Sequence, residues 1–177
     1  MIVVTGEAFD PAAALARFTA AQSGAGAIVS FIGTVRDRSN GNPVEELVLE
    51  HYPGFTEKEI ARAEEEARRR WAPDDILIIH RYGALAPGQP IVFVAASSTH
   101  RHAAFAAVQF LMDYLRTDAP FWKRESGPAG ATWVEPRDDD AAARARWNHG
   151  STTAAVAPCP EVADNPVREP TSRRTPR

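Results

Sequence analysis

A single lysine in an aromatic segment is the strongest candidate for chemistry in this sequence. The chain carries 18 arginines but only two lysines, Lys58 and Lys123. Lys123 follows Phe121 and Trp122, and aromatic neighbours can partly desolvate an amine, which lowers its pKa and prepares it for proton transfer or nucleophilic attack. The alternative is a lysine whose charged end reaches solvent past an apolar stem. The scarcity of lysine favours the functional interpretation.

Further positive charges fall at the ends of predicted elements, where anions often bind. Arg36 follows a β-type run and opens an Asn-Gly loop, either as a solvated charge or as a functional one. His100 and Arg101 fall in the first turn of a long predicted helix, a position that favours anions, although Arg101 could instead pair with a carboxylate. Arg116 falls at the other end, where a cation interacts well with the helix dipole. Together these residues indicate a phosphate-binding cleft.

Several common kinds of site have no support in the sequence. It contains no glycine-rich nucleotide or phosphate loop and no nucleophile elbow. His100 and His102 are two apart on a predicted helix and point in different directions, and the other histidines fall in separate elements, which disfavours zinc. The one cysteine, Cys159, lies in a polar segment without a positioned base. We expect neither a metal nor a cofactor.

Composition and charge are typical of a globular protein of the cytoplasm. The chain has 177 residues, of which 44% are hydrophobic and 24% charged, and a formal net charge of -3. This charge gives no global field for nucleic acid or for an anionic membrane. No apolar run approaches the roughly 20 residues that span a bilayer, and the N-terminus has no signal-like stretch. We expect a cytoplasmic protein without nucleic-acid or membrane partners.

The chain divides into a predicted folded domain, 1–149, and a tail, 150–177. The tail holds 5 of the 14 prolines and no aromatic residue, so it cannot offset its ordering entropy and is predicted to be disordered. The domain has a mixed α+β order rather than regular βαβ alternation. Strands are predicted at 2–4, 26–35, 44–51, 75–82, 91–97, 121–125 and 132–135, and helices at 11–22, 56–71, 99–117 and 138–147.

Local signals predict helix starts and side-chain directions. Asp10 is the predicted N-cap of the first helix, Thr56 with Glu59 forms a capping box for the second, and Ser98 or Thr99 caps the third. Alternation along the strand around Lys123 predicts two faces: Phe121, Lys123 and Glu125 on one, Trp122 and Arg124 on the other.

Five segments match one known family in register. They are Phe31-Ile32-Gly33-Thr34-Val35-Arg36-Asp37, the run 49–58, Ile79-His80-Arg81-Tyr82-Gly83, Thr99-His100-Arg101 and the run 112–125. Over these segments, and across about residues 1–147, the chain resembles the large subunit of molybdopterin synthase, the MoaE family. The resemblance implies an α/β-hammerhead fold of the α+β class, with a mixed sheet and packed helices.

The same resemblance implies an activity and partners. It implies a sulfurtransferase of molybdenum cofactor biosynthesis that works as a homodimer. Each large subunit would bind a small ubiquitin-like sulfur carrier, giving a heterotetramer. The carrier's C-terminal Gly-Gly thiocarboxylate would enter the large subunit and give sulfur to cyclic pyranopterin monophosphate. Two transfers would form the dithiolene of molybdopterin and open the cyclic phosphate.

The resemblance also assigns site residues. Those implied to bind substrate are Phe31, Thr34, Val35, Arg36, His100, Arg101, Arg116, Lys123, Arg124, Glu125 and Arg137. Arg137 would act across the dimer, and Arg36, Arg101 and Arg137 would clamp phosphate through bidentate hydrogen bonds. Lys123 would act on the thiocarboxylate carbonyl or move protons, and neighbouring arginines should lower its pKa.

One position departs from the family pattern. Arg116 stands where the family usually has a second functional lysine, so Lys123 and Arg116 are the two catalytic candidates. Arginine keeps the charge but does not readily deprotonate. The leading hypothesis is an active sulfurtransferase, and Arg116 supports its rival, a non-catalytic paralogue that binds the carrier as a scaffold or regulator. A phosphate-binding protein of an unrelated pathway would require the resemblance to be accidental.

Overall fold

Two four-stranded sheets, a short hairpin and four helices form the described part of the computed structural model, residues 1–119, 121–128, 130–134 and 138–147. The predicted tail and Arg137 lie outside these residues. In chain order the elements are β1 (Ile2–Thr5), α1 (Pro11–Ala20), β2 (Ala27–Thr34), β3 (Arg38–Ser39), β4 (Asn42–Pro43), β5 (Glu46–His51), α2 (Phe55–Trp71), β6 (Asp75–Arg81), β7 (Gly83–Leu85), β8 (Pro90–Ser98), α3 (Arg101–Thr117), β9 (Phe121–Gly127), β10 (Gly130–Trp133) and α4 (Asp138–Ala145).

The first sheet has the strand order β1-β6-β8-β2. Only β1 and β6 run parallel; the other two pairs are antiparallel. This mixture confirms the predicted α+β class, because regular βαβ alternation would have made the sheet wholly parallel. The strand β2 lies at the edge, and a register shift between Gly33 and Thr34 marks the end of its pairing with β8.

The second sheet has the order β10-β9-β5-β7, and all its pairs are antiparallel. Its short strand β7 was not predicted, because a run of three residues with one glycine carries too little periodicity to be recognised. The predicted Asn-Gly turn is present: Asn40 and Gly41 both have positive φ, 49° and 85°, between β3 and β4. Such a pair of left-handed residues is what a tight two-residue hairpin requires.

Helices cover the two faces of the first sheet with separate cores. The larger core lies under α2 and α3 and includes Ile76, Ile78, Val94, Phe110 and Leu111, each at most 1% exposed. The smaller one lies under α1, whose buried Ala14 and Phe18 pack against the opposite face. Because helices cover both faces of β6 and β8, the sequences of these two strands are nearly continuous apolar runs.

Two predicted helix caps are wrong. The helix α2 begins at Phe55, and its start is capped where the Glu57 carboxylate accepts a hydrogen bond from the Gly54 N–H at 2.6 Å. Thr56 is fully buried inside the helix, and its hydroxyl accepts from the Tyr52 N–H instead. Gly54 has a φ of 81°, and the sharp turn of the backbone at this glycine lets the helix begin before Thr56.

The third helix also begins later than predicted. Its N-cap is His100, which makes no side-chain capping bond, while the Ser98 hydroxyl accepts a long 3.4 Å bond from the His100 N–H. Ser98 still belongs to β8, because its backbone pairs with Ala27. The first cap, Asp10, is confirmed, since its carboxylate accepts from the N–H groups of Ala12 and Ala13.

Two carboxylates tie the end of the chain's described part to α3: Asp118 at the end of α3 pairs with Arg144 of α4, and Asp113 binds the residues that follow α4. One oxygen of Asp113 accepts hydrogen bonds from the Trp147 indole N–H at 2.7 Å and from Arg146 at 2.6 Å. The Trp147 ring then packs edge-on against Trp71 and Phe110, and its carbonyl accepts from Arg70. Asp113 therefore connects α4 to the core.

Replacing Asp113 with alanine is expected to lower the free energy of unfolding by about 2 kcal/mol, because it removes the acceptor of the Trp147 N–H and the carboxylate that pairs with Arg146. Urea denaturation followed by tryptophan fluorescence measures this loss. The control is Asp74→Ala, since Asp74 is exposed and its side chain makes no hydrogen bond in the described part of the chain. Equal stability of the two variants would show that Asp113 does not anchor α4.

None of the helices in the described ranges is both long and apolar enough to cross a membrane.

Candidate functional site

Lys123 lies on the inner face of the second sheet, at the centre of β9. It pairs with Leu49 of β5, which is 1% exposed, and Phe121 on the same face is 9% exposed. Trp122, on the opposite face, is 57% exposed. The predicted alternation along this strand is therefore confirmed. Lys123 is half-buried, and the residues on its face include the buried Leu49 and Phe121.

The segment that follows β2 meets this sheet through an apolar contact. Val35 is buried in a small core with Leu47, Leu49 and Leu85. Leu47 and Leu49 are the β5 residues that pair with Glu125 and Lys123. The structure therefore brings the predicted residues Thr34, Val35 and Arg36 next to β9. Thr34 and Arg36, on either side of buried Val35, are exposed. We call the set Thr34, Val35, Arg36, Lys123 and Glu125 the Lys123 cluster.

Backbone bonds hold the β2 end of this cluster. The Val35 N–H donates to the carbonyl of Gln89 at 3.0 Å, and the Val35 carbonyl accepts from the Gly88 N–H at 2.8 Å. Gly88 has a positive φ of 82°, which the tight turn between β7 and β8 requires. The turn therefore places Arg36 on a defined backbone, even though its side chain is exposed.

Arg124 points away from the Lys123 cluster. It pairs with Val48 and Trp133, and its guanidinium lies 6.0 Å from the centre of the Trp133 ring. Trp122 and Trp133 meet edge-to-face at 6.3 Å on this outer surface. A small ligand on the inner face would therefore contact Lys123 and Glu125, whereas Arg124 would meet a ligand or partner from the outer face.

A buried histidine stacks beside Lys123. His80, at the end of β6, is 5% exposed, and its ring lies 3.8 Å from that of Phe121 with an interplanar angle of 12°. The pKa of His80 is lowered to about 4, mainly by burial and also by the positive charges of Lys123 and His51, against the opposing effect of its bond to the Arg81 carbonyl. His80 is therefore neutral at pH 7.

His51 forms a second aromatic stack next to the first. Its ring lies 4.0 Å from that of Tyr82, and its Nε2 lies 3.7 Å from a carboxylate oxygen of Glu57. His51 pairs with Phe121 across β5 and β9, so the two histidines approach each other from different sheets. In the sequence these two histidines fall in separate elements, so their proximity could not be predicted.

The N-terminus of α3 lies far from the Lys123 cluster within one chain. Ser98 pairs with Ala27 at the start of β2, whereas Thr34 pairs with Pro90 at the other end. The helix then runs back across the sheet, so Arg101 and Arg116 are separated by about 22 Å at 1.5 Å per residue. His100 and Arg101 are exposed at the far end. The structure thus does not bring these two residues into the Lys123 cluster.

Arg116 lies in the last turn of α3, and the link from there to β9 is short. Only residues 118–120 separate α3 from Phe121, and Leu115 and Phe121 share the main core. The Arg116 side chain is exposed. The structure therefore places Arg116 on the side of the Lys123 cluster rather than on that of His100.

Phe31 occupies the middle of the edge strand and is 42% exposed. Phe105 in the first turns of α3, the helix that covers the Phe31 face of the sheet, is also exposed, at 61%, whereas Ile32 points to the opposite face. Large apolar side chains on an unpaired strand edge and the neighbouring helix are typical of a surface that another chain covers. Phe31 therefore lies on this surface rather than among the Lys123 cluster.

A buried arginine adds positive charge behind Thr34. Arg81 is 6% exposed, and its Nη1 donates to the Pro90 carbonyl at 3.4 Å. Its Nε has no hydrogen-bond partner in the described part of the chain. Because arginine stays protonated, this charge adds to the positive potential at the end of β2.

A separate cavity lies between α2, α3 and the last helix. Its lining residues are Arg62, Glu65, Glu66, Arg69, Arg70, Phe110, Tyr114, Arg144 and Trp147. The arginines here are paired: Arg69 and Arg70 with Glu66, and Arg62 with Glu59. Hydrogen bonds from Arg69 and Arg70 lower the pKa of Glu66 to about 2. Balanced ion pairs do not attract an anion, so this cavity does not compete with the Lys123 cluster as a phosphate site.

Sequence reasoning missed His80. The signal was available, because His80 continues the buried positions of β6 after Ile76 and Ile78, and a histidine at a core position is unusual. The pattern could not show that His80 contacts Phe121 of the other sheet. It therefore could not show that His80 lies near Lys123.

Comparison with known proteins gives one consistent family. The model of the MoaE protein family matches residues 4–118. The molybdopterin synthase catalytic subunit of Cereibacter sphaeroides is 49% identical over 146 residues, which cover 82% of this chain and 99% of that protein.

Solved structures agree with the family match. The molybdopterin biosynthesis MoaE protein from Burkholderia ambifaria has a TM-score of 0.71 and 46% identity, covering 84% of this chain and 97% of that one. Molybdopterin synthase from Staphylococcus aureus has a TM-score of 0.67 and 30% identity, covering 76% and 95%.

Proposed function

Because the chain belongs to the MoaE family, we propose that it is the catalytic subunit of molybdopterin synthase. It transfers sulfur from the thiocarboxylated C-terminus of a small ubiquitin-like carrier to cyclic pyranopterin monophosphate, and two transfers form the molybdopterin dithiolene. The observation that carries this proposal is the position of Lys123, a scarce lysine on an inner apolar sheet face beside a neutral histidine.

The charges around Lys123 suit the two substrates. A thiocarboxylate and a pterin phosphate are both anions, and Arg36 and Arg116 lie on the Lys123 side of the molecule. In the proposed site the two guanidiniums hold phosphate, since arginine forms bidentate charge-assisted hydrogen bonds. The Lys123 amine acts on the thiocarboxylate carbonyl or moves protons, as the step requires a group that can change its protonation state. Glu125 borders the same inner face.

We propose further that two copies of the chain complete each site. A small pterin ligand cannot reach both Lys123 and the pair His100–Arg101, because His100 and Arg101 lie at the start of α3, whereas the end of α3 leads into β9, which carries Lys123. Phe31 and Phe105 give this part of the molecule an exposed apolar surface, and Phe105 lies about one turn of α3 beyond Arg101. A homodimer formed through that surface would bring His100 and Arg101 of one copy to the Lys123 cluster of the other. Arg137 would likewise act across the dimer, and with two carriers the assembly is a heterotetramer.

The test of the activity is reconstitution. The purified full chain is mixed with thiocarboxylated carrier and cyclic pyranopterin monophosphate, and the dithiolene product is measured. Product should form with the thiocarboxylated carrier and not with the carrier bearing an ordinary carboxylate. Absence of product from the intact protein would reject the enzymatic proposal and leave the scaffold or regulator as the function.

Arg116 separates the active enzyme from the non-catalytic alternative. If this position needs only charge, Arg116→Lys should stay within about threefold of the natural rate and Arg116→Ala should lose about tenfold or more, as for a lost charge-assisted hydrogen bond. The measurement is the initial rate of sulfur transfer in the reconstituted assay. A gain of tenfold or more in Arg116→Lys would show that arginine impairs the site.

Two further features complete the proposal. The protein acts in the cytoplasm, where a carrier thiocarboxylate and the pterin substrate would meet. Residues 1–149 form the catalytic domain, and the tail 150–177 remains outside it.

A further inference from the structure

We propose that the edge strand β2 pairs antiparallel with β2 of a second copy of the chain, with Phe31 opposite its own counterpart at a two-fold axis. The two four-stranded first sheets then form one continuous sheet across the dimer. The pairing rests on the proposed function, in which His100 and Arg101 of one copy complete the Lys123 cluster of the other, and it specifies the contact that brings them together.

The strand β2 is much longer than the other edge strands of the two four-stranded sheets. The edge strands β1, β10 and β7 have four, four and three residues, whereas β2 has eight. Its sequence, Ala-Ile-Val-Ser-Phe-Ile-Gly-Thr, contains no charged residue and no proline. Within the part of the chain that the structure describes, no strand pairs with its outer side. Because shortness, charge and proline are what keep an edge strand from pairing with another chain, β2 is open to such pairing.

Exposed apolar side chains lie on both faces of this edge. Phe31 pairs with buried Val94, which belongs to the core under α3. Ile32 pairs with Phe93, which belongs to the core under α1. Phe31 and Ile32 are nevertheless 42% and 45% exposed. A partner lying on one face would cover only one of them, whereas a strand added to the edge places side chains next to both.

Two-fold symmetry accounts for the choice of Phe31 at the axis. When a strand pairs with an identical antiparallel strand about an axis perpendicular to the sheet, one residue must lie opposite its own counterpart. The exposed run in the middle of β2 consists of Ser30, Phe31 and Ile32. With Phe31 at the axis, Ser30 of each copy lies opposite Ile32 of the other. All three exposed residues then face a partner strand.

The same axis brings opposite ends of the two α3 helices together. Ser98 pairs with Ala27, so α3 begins near the start of β2 and runs toward its end. The eight residues of β2 span about 26 Å, and the helix from Arg101 to Arg116 spans about 22 Å. An axis at the middle of β2 therefore also passes near the middle of α3. Arg101 of one copy then lies at the level of Arg116 of the other.

Phe105 points toward the open edge as well. Tyr114 faces α2, because its hydroxyl donates to Glu59 at 3.1 Å. Phe105 lies nine residues before Tyr114, which is half a turn around the helix at about 100° per residue, so it points away from α2. In the first sheet α2 contacts β1 and α3 contacts β2, so the side away from α2 is the side of the β2 edge. The exposed Phe105 ring is thus placed to meet Met112 of the other copy.

The main test exchanges charges at the axis of the full-length protein. Phe31→Lys and Phe31→Glu each place two like charges directly opposite one another, which is unfavourable across paired strands. Each variant alone should therefore dissociate, with a dissociation constant about tenfold or more above the natural one, as for the loss of a central aromatic residue of an interface. An equal mixture of the two variants should dimerise again, because opposite charges then face each other. Analytical ultracentrifugation measures the association.

The control for this test is Val3→Lys. Val3 is exposed on β1, the other edge strand of the same sheet, so the same kind of charge introduced there should leave the dimer intact. Recovery in the mixture also shows that the two Phe31 variants are folded. A mixture that stays as dissociated as the separate variants, or equal dissociation of Val3→Lys, would overturn the pairing.

Cysteine cross-linking tests the register. In a chain whose one cysteine is removed by Cys159→Ser, Phe31→Cys should form a disulfide between copies. Opposite residues of paired strands have Cα atoms about 4.5–5.5 Å apart, which a disulfide can bridge. Ser30→Cys and Ile32→Cys should cross-link when they are mixed with each other but not separately. Self-cross-linking of Ser30→Cys or Ile32→Cys as fast as that of Phe31→Cys would overturn the register.

Amide hydrogen exchange on the natural protein covers the case in which the variants do not fold. Successive N–H groups of an edge strand point alternately toward the neighbouring strand and toward solvent. With β2 paired on both sides, the amides of residues 29–32 should all be protected, whereas protection along β1 should alternate. Alternating protection in β2 would overturn the proposal. Protection of β2 that appears only after the carrier is added would also overturn it, because the carrier would then occupy the edge.

Association, cross-linking and exchange are all measured without turnover. A failed reconstitution would therefore count against the proposed function and leave the pairing of β2 standing. Loss of the pairing with product still formed would count against this inference alone.

Discussion

Lys123→Arg is expected to lower sulfur transfer by roughly 10²–10⁴-fold, the range that a positioned acid–base group contributes. Arginine keeps the positive charge and most of the length, but it does not give up its proton at neutral pH. Lys123 lies on the inner face of β9 against buried Leu49 and beside neutral His80. Binding of the carrier should be unaffected, because the charge is kept. The rate is measured in the reconstituted assay, and binding by isothermal titration with the carrier.

The chain provides a matched control for this substitution. Lys58→Arg makes the same chemical change at the only other lysine, which is exposed on α2. Its rate should equal that of the natural protein. Near-normal turnover in Lys123→Arg would refute the amine role and leave Lys123 as a charge for substrate binding. Equal losses in both variants would point to a general effect of replacing lysine.

Activity is expected to return when two inactive variants are combined. One chain carries Lys123→Arg, and the other carries His100→Ala with Arg101→Ala. If each site takes Lys123 from one copy and His100–Arg101 from the other, a mixed dimer contains one intact site, and random pairing of equal amounts gives about a quarter of the natural activity. The reason is the separation of about 22 Å along α3, which one small ligand cannot bridge within a chain.

Purified mixed dimers make the comparison sharper. With two different affinity tags, the mixed species should show about half the natural rate, because a dimer with closed symmetry has two equivalent sites. Each parent variant alone should be nearly inactive. A mixed dimer that stays inactive would show that His100 and Arg101 do not complete the site of the other copy. The control for loss of activity through instability is Asp113→Ala, because Asp113 contacts Trp147 rather than the Lys123 cluster.

Much of the fold could be predicted because it depends on local patterns. The apolar runs of β6 and β8 and the stripe along α3 have strong periodicity, and all three elements were predicted within two residues. The errors came where several local signals compete. Thr56 has the residue type of a cap, yet it is buried inside α2 because the N-cap is Gly54, two residues earlier.

The candidate site was predictable in its parts but not in its arrangement. Alternation alone placed Lys123 on the face of β9 opposite Trp122, and the burial of Leu49 and the exposure of Trp122 agree. The sequence does not show which end of a helix lies near which strand, so Arg101 and Arg36 were predicted to line the same cleft. The antiparallel register of β2 and β8 separates them.

By itself, then, the sequence determined the family and the α+β class and supplied Lys123 as the candidate amine, because each depends on residue identity at short range. Only the tertiary structure decided which residues meet. Strand pairing brings Val35 to Lys123 through Leu49, and the contact of two sheets brings His80 to Phe121. The register of β2 and β8 also places the start of α3, with His100, at the opposite end of β2 from Thr34. These results depend on register and on packing between residues distant in the chain, which local periodicity does not encode.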